Sequence, residues 1–322
     1  MTQHTLDTSA MTNEDVGKMP DSRTVEERLE GGFILLDKGA GPTSHQIAAW
    51  VRDLFGLERM GHGGTLDPFA TGVLPLMAGK SMKLTKKILN HKKSYICVFR
   101  FAEEVDDATL AKVMKQLTGR VYNVPPEVSA VKVQVRTRKI FAFDKMERAG
   151  NDMIARVHCE AGTYIRTMAR DLGLLLNMKV TLKELRRDSS GIFTLDDCVT
   201  LPELADAIWL WKECDKPDAL LRIIHPLEKL MLDLPAATVK DSAAAALAHG
   251  APLLRPGLVD IAAGVKSGKE VYIQTLKGEA VGVVCLTTDT DDIAAMSEGE
   301  IARPSMVLLD GDVYPRRWKS PE

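Results

Sequence analysis

The densest group of chemically useful residues is Gly61-His62-Gly63-Gly64-Thr65-Leu66-Asp67-Pro68-Phe69-Ala70-Thr71-Gly72, in which glycines surround a single carboxylate. Glycine lets a backbone approach a ligand closely and Asp-Pro is stiff in a turn, so the loop can present Asp67 at a fixed angle as a nucleophile or base. The competing reading is a surface turn whose aspartate only caps a backbone N–H. Arg166, in Gly162-Thr163-Tyr164-Ile165-Arg166, falls where a strand hands over to a helix. It makes either an ordinary structural ion pair or one that orients a carboxylate and holds it ionised; spacing alone does not choose. Tyr95 opens an apolar strand behind His91-Lys92-Lys93-Ser94 and is either a core residue or a platform for stacking a base. Lys132, Arg136, Arg138 and Lys139 follow Pro125-Pro126 in a hairpin-like stretch whose charges either track phosphates or are simply solvated.

Other signals fail on spacing. Gly79-Lys80-Ser81 has the end of a phosphate loop, but the glycine required five residues earlier is Leu74, and Pro75 removes an N–H that phosphates would need. Gly61, Gly63 and Gly64 do not extend to a dinucleotide fingerprint because position 66 is leucine, and no metal-spaced histidine pair occurs. Neither a nucleotide cofactor nor a metal is expected. Cys97, Cys159, Cys198, Cys214 and Cys285 are odd in number and widely spaced, which fits a reducing cytoplasm better than a disulfide framework.

These residues need a scaffold, and 322 residues suffice for two domains. A 45% hydrophobic and 27% charged composition is that of a folded chain. No apolar run reaches the roughly 20 residues of a spanning helix, and the N-terminus lacks a signal-peptide pattern, so no membrane partner is expected. The net charge of -2 divides into -4 for residues 1–30, +6 for 31–232 and -4 for 233–322, a modest excess compatible with nucleic acid. Residues 1–30 lack periodicity and read as a mobile arm without chemistry. Phe33 to Leu36 reads as a strand. Thr43 or Ser44 caps a helix through Phe55 with Ile47, Trp50, Val51 and Leu54 on one face. Tyr95 to Phe101 is a strand, Asp107 to Leu117 a helix, and Met153 to Cys159 a strand leading into a helix from Thr163 to Leu176. The expected class is α+β, a mixed sheet with flanking helices over 31–232. A smaller β-rich module over 233–318 follows, with Asp241 capping an Ala-rich helix that Gly250 stops.

In order along the chain, Leu36 to His45 (Leu-Asp-Lys-x-x-Gly-Pro-Thr-Ser-His), Gly61 to Gly72, Lys93 to Tyr95, Pro125 to Lys132, Gly162 to Thr167 and Glu184 to Gly191 (Glu-Leu-Arg-Arg-x-x-Ser-Gly) resemble the TruB-type pseudouridine synthases. Ser129-Ala130-Val131-Lys132 with Arg136-Thr137-Arg138-Lys139, and Lys240-Asp241-Ser242-Ala243 with His249-Gly250-Ala251 and Pro256-Gly257, are similar to the dyskerin branch and the opening of its C-terminal β-barrel-like PUA domain. Without the basic tails of eukaryotic members, the chain is closer to the archaeal type. Ala40 departs from the family's usual proline.

The resemblance implies Asp67 as catalytic aspartate, Arg166 as its partner, Tyr95 and Tyr164 as pocket tyrosines, Leu185 as a pocket wall and His62 as a histidine near flipped-out RNA. It implies no cofactor, and RNA contacts from Lys132, Arg136, Arg138, Lys139, Arg255, Arg316 and Arg317. The implied partners are a box H/ACA guide RNA, ribosomal RNA with tRNA as a further substrate, small zinc-ribbon and β-barrel accessory proteins, and a kink-turn-binding protein. Two rivals stand beside this: a stand-alone synthase for the tRNA T-arm and a non-catalytic RNA-binding scaffold.

Overall fold

The computed structural model describes residues 2–124 and 135–315. In chain order the elements are β1 (Gln3–Thr5), α1 (Val25–Leu29), β2 (Gly32–Lys38), α2 (Ser44–Phe55), β3 (Met60–His62), β4 (Thr71–Ala78), α3 (Thr85–Asn90), β5 (Lys93–Phe101), α4 (Asp107–Gln116), β6 (Gly119–Tyr122), β7 (Thr137–Ala149), β8 (Asp152–Cys159), α5 (Ile165–Leu176), β9 (Val180–Ser190), β10 (Phe193–Thr194), α6 (Leu201–Cys214) and α7 (Asp218–Ile223). They continue with β11 (His225–Pro226), β12 (Ala236–Val239), α8 (Asp241–Ala248), β13 (Leu253–Leu254), β14 (Leu258–Ala262), β15 (Glu270–Thr275), β16 (Ala280–Leu286), α9 (Thr290–Ala295) and β17 (Glu300–Val307). The chain divides into two units, Phe33–Ile223 and Met1–Gly32 with Ile224–Glu322. Among the described residues, no helix is long and apolar enough to cross a membrane.

Period-two burial shapes the larger unit. Along β5, Tyr95, Cys97, Phe99 and Phe101 are buried while the residues between them are at most half-buried, so one strand face belongs to a core. The sheet order is β2-β4-β9-β5-β8-β7-β6, with β3 beside β4 and β10 beside β9. It is mixed because β4 and β9 run parallel whereas β5 pairs antiparallel with both β8 and β9. Leu66, Ala70, Tyr95 and Leu185 share a core cluster with Leu110 and Val113 of α4 and Met168 and Leu172 of α5. Helix α2 starts as expected, with Thr43 in a capping box with Gln46. Its expected face is corrected: Ile47, Ala48, Val51 and Phe55 are buried, whereas Trp50 and Leu54 are 47% and 38% exposed. On the helical wheel Ala48 lies beside Phe55 inside the buried arc, whereas Leu54 falls at its edge and Trp50 beyond it.

The second unit is a seven-stranded sheet in the order β1-β14-β12-β15-β16-β17-β13 around its own apolar cluster. The expected mobile arm is not one. Its β1 pairs with β14, Gln3 opposite Ala262, and α1 is opened by a Thr24–Glu27 capping box and buries Val25, Arg28 and Leu29. Lys277 Nζ donates to the Val16 and Glu14 carbonyls at 2.6 and 3.0 Å. Arg23 reaches Glu228 at 2.9 Å and Glu279 at 3.7 Å. Backbone pairing and charged contacts hold this segment, and neither leaves an apolar period in the sequence. Residues 224–232 pack with this unit, where Glu228 also accepts the Ala280 N–H. One further expectation changes. Asp241 does not cap α8; Lys240 stands at the cap, and the Asp241 carboxylate accepts hydrogen bonds from Thr12 Oγ1 and the Asn13 N–H.

Candidate active site

The loop between β3 and β4 is tied down at both ends and in the middle. Lys38, at the end of β2, is fully buried and donates from Nζ to the carbonyls of Ala70 at 2.7 Å, Gly39 at 2.9 Å, Pro68 at 3.1 Å and Asp67 at 3.4 Å. Burial pulls this ammonium below the ordinary lysine range, and the Asp67 charge opposes that shift. Ser44, the first residue of α2, takes the Leu66 N–H on Oγ at 2.9 Å, and the Gly41 N–H donates to Pro68 O at 2.8 Å. Arg187 on β9 lies buried behind the loop, donating from Nε to Val73 O at 2.8 Å and from Nη2 to Gly64 O at 3.1 Å. Gly72 has φ +105°, and a Cβ there would stand 2.2 Å from Arg187 O, so only glycine lets β4 approach β9 this closely.

Asp67 therefore leaves a backbone with little freedom, and Arg166 meets it. Arg166 Nη2 donates to Asp67 Oδ1 at 2.8 Å, with the two side chains 31% and 29% exposed. The pair is neither sealed nor fully solvated, which leaves carboxylate surface open to a reactant. The start of α5 is held by Asn123, itself buried: the Tyr164 N–H donates to Asn123 Oδ1 at 2.7 Å and Asn123 Nδ2 donates to Tyr164 O at 3.1 Å. Thr167 Oγ1 donates to Val124 O at 2.7 Å. Arg166 thus points from a helix start that is pinned to the end of β6.

Tyr95 and Leu185 join this region through the sheet. In the β5–β9 register Tyr95 stands opposite Arg187 and Cys97 opposite Leu185, and both expected pocket residues are buried beside Leu66. Burial pushes the Tyr95 phenol up, partly countered by the Arg187 charge. Lys93, buried two residues earlier, donates from Nζ to the carbonyls of Ile88, Leu89 and His91, which satisfies the C-terminal end of α3; burial draws it down to about 7. Tyr164 occupies the cap position of α5 and is half-buried. His62 on β3 meets His45 edge-on, with ring centroids 4.6 Å apart. Its Nδ1 is buried without a hydrogen-bond partner among the described residues, and burial, then His45 and Arg187, draw it down to about 4. The imidazole is therefore neutral at neutral pH.

Among the expected RNA contacts, Lys139 is exposed and Arg136 and Arg138 are half-buried on or beside β7. Arg138 Nη1 donates to Thr137 O at 3.0 Å. Arg255 spends Nε on Ile293 O at 3.1 Å, so its guanidinium is partly committed to its own unit. Lys132, Arg316 and Arg317 lie outside the described residues. The residues that sequence reasoning gave no role are Lys38, Asn123 and Arg187. Lys38 and Arg187 stand inside recognised motifs, but only their burial shows that they fasten the loop.

A pinned glycine-rich loop that offers one carboxylate to an arginine, in a chain that also folds a separate β-rich unit, is the arrangement of RNA pseudouridine synthases that carry a PUA domain. Family profiles match accordingly: the TruB family pseudouridylate synthase N-terminal domain over residues 52–165, the tRNA pseudouridylate synthase B C-terminal domain over 166–232, the PUA domain over 235–308 and the DKCLD domain over 1–48. The probable tRNA pseudouridine synthase B of Pyrobaculum calidifontis is 40% identical over 308 residues, 96% of this chain and 92% of that one. That of Methanothermobacter thermautotrophicus is 40% identical over 96% of both chains. Among solved structures, an H/ACA RNP bound to a substrate RNA containing 2'-deoxyuridine matches with TM-score 0.90 and 35% identity, covering 98% of this chain and 97% of that one. A Cbf5-Nop10-Gar1 complex matches with TM-score 0.88 and 37% identity over 98% and 96%. The chain belongs to the TruB family of pseudouridine synthases, in its dyskerin-like branch.

Proposed function

We propose that this chain is the catalytic subunit of a guide-RNA-directed pseudouridine synthase in which Asp67 reacts with a uridine turned out of its stack onto Tyr95. The observation that carries the guided reading is the likeness, over nearly the whole of both chains, to a chain of an H/ACA RNP bound to a substrate RNA. Isomerisation breaks the bond from N1 to C1′ and joins C5 to the same carbon; C5 loses its proton and N1 takes one up. It needs one carboxylate, as nucleophile or base, and no redox partner. Glycoside hydrolases commonly use a second carboxylate, and the buried Tyr95 and Leu185 favour keeping water away from the sugar. Arg166 holds the reacting carboxylate, Tyr164 and Leu185 close the pocket and neutral His62 borders the entering RNA. Unstacking costs a few kcal/mol, which stacking on Tyr95, at about 1–3 kcal/mol per base, partly offsets.

The partners under this reading are a guide RNA held by the C-terminal unit, ribosomal RNA as substrate, Nop10- and Gar1-like proteins, and a kink-turn-binding protein. Guide pairing supplies sequence choice, while the protein reads backbone and shape. A second reading is favoured by the names of the relatives, probable tRNA pseudouridine synthase B: direct action on tRNA without a guide. Release of tritium from C5-labelled uridine separates the two. The guided reading expects conversion of a target RNA only with its matching guide RNA and accessory proteins. Full conversion of tRNA by the chain alone, with no gain from a guide, would refute it in favour of the second reading.

A further inference from the structure

Phe141 gathers an unusual set of side chains on the reverse face of the sheet from Tyr95. In the β7–β8 pairing the register slips between Ile140, opposite Cys159, and Ala142, opposite His158, leaving Phe141 as the extra residue. A bulge of this kind re-aims a side chain. The ring is half-buried; Lys92 Nζ stands 4.7 Å and Lys139 Nζ 5.3 Å from its centroid, and the His158 ring lies 5.3 Å away, tilted by 55°. Lys92, Lys139 and His158 are all exposed. Neither lysine has an ion-pair partner among the described residues. The nearby acid is Glu160, whose carboxylate accepts the Lys139 backbone N–H at 3.0 Å.

Two unneutralised ammonium groups drawn to one ring repel each other, and an anion between them relieves that repulsion. The position supplies the anion's source. His158 stands opposite Ser94, next to Tyr95, and Lys92 precedes Tyr95 by three residues, about 10 Å of strand. Arg138 continues the positive line: its guanidinium lies against Gly162, two residues before Tyr164, where a Cβ would be 3.1 Å from Nη2, and its Nε is buried without a partner among the described residues. We propose that Lys92 and Lys139, held by Phe141 and flanked by His158, form a phosphate clamp for the RNA strand that leaves the pocket beside the target uridine. The clamp rests on the function proposed above and adds to it the path of the substrate strand. A backbone phosphate is favoured over an acidic protein segment because Lys92 and His158 lie beside Tyr95 at the start of β5 and Arg138 reaches the turn before Tyr164.

The test uses the full chain and a fluorescein-labelled tRNA transcript, with anisotropy followed over a range of salt concentrations. Each phosphate contact contributes about 0.7–0.9 to the slope of log affinity against log salt. Lys92→Gln with Lys139→Gln is expected to lower that slope by about 1.5 and to weaken binding by about tenfold at low salt. Phe141→Leu, which keeps an apolar side chain, is expected to weaken binding about two- to fivefold. Lys112→Gln with Lys115→Gln on α4, a charge-matched control, should leave the slope unchanged. A slope for the Lys92/Lys139 variant equal to wild type, or an equal loss in the control, overturns the clamp. Unchanged RNA binding with lost capture of a Gar1- or Nop10-like protein also overturns it, since the face would then be a protein-docking surface. Pseudouridine formation is read separately, on a target RNA with its matching guide RNA and accessory proteins: an inactive wild type there, together with the expected slope change, refutes the proposed function and leaves the clamp standing.

Discussion

Replacing Lys38 with methionine, which matches its length without the charge, removes the central fastening of the loop that carries Asp67. The ammonium donates to the Ala70, Gly39 and Pro68 carbonyls at 2.7, 2.9 and 3.1 Å in a site with no exposed surface. Each carbonyl left without a donor costs about 1–3 kcal/mol. The variant is also relieved of burying a charge, which offsets part of that loss. A net destabilisation of about 2–4 kcal/mol follows, or about 5–15 °C in the melting of the larger unit. The loop also becomes free to shift by about 1 Å, which lowers the rate of uridine conversion about a hundredfold. Calorimetry reads the first effect and single-turnover tritium release from C5-labelled uridine the second. A melting point within about 2 °C of wild type together with a rate within about threefold would refute the fastening role.

Arg23→Ala leaves Glu228 and Glu279 buried without their cation, so the C-terminal unit should lose about 3 kcal/mol in calorimetric stability; an unchanged melting point would mean that the N-terminal segment is not anchored there. The imidazole of His62 is drawn from 6.5 to about 4 on folding, so between these values the unfolded chain binds the extra proton and stability rises with pH. Stability should therefore fall as pH drops from 6.5 towards 4, His62→Gln should flatten that slope, and a His62 proton resonance titrating near 6.5 would contradict it.

Strong apolar periods made much of the larger unit legible. β5 and α5 lie close to where alternation and helical spacing put them, and the cap at Thr43 is readable as a residue type. Polar fastening was not legible. Gln3 to Thr5 shows no strand pattern because its partner, β14, lies more than 250 residues away and the pairing runs through backbone groups. β4 was hidden by Pro75, which ordinarily argues against an inner strand; here it sits opposite Leu35, and its carbonyl accepts the Gly63 N–H. The same division runs through the site. Asp67 and Arg166 stand 99 positions apart, and only the resemblance joined them before the 2.8 Å contact did. Lys38 and Arg187 look like ordinary surface cations until their burial is seen, because a charge that satisfies carbonyls leaves no pattern in the chain.

The measurement that bears most directly on the account is tritium release by Asp67→Asn on whichever RNA the wild-type chain converts, with RNA affinity followed in parallel. The amide keeps the shape and a hydrogen bond to Arg166 but supplies neither nucleophile nor base. The expected result is unchanged melting and RNA binding with no detectable conversion, a loss of at least about 10³-fold. Conversion by Asp67→Asn within about tenfold of wild type would contradict the assignment of the chemistry to this carboxylate.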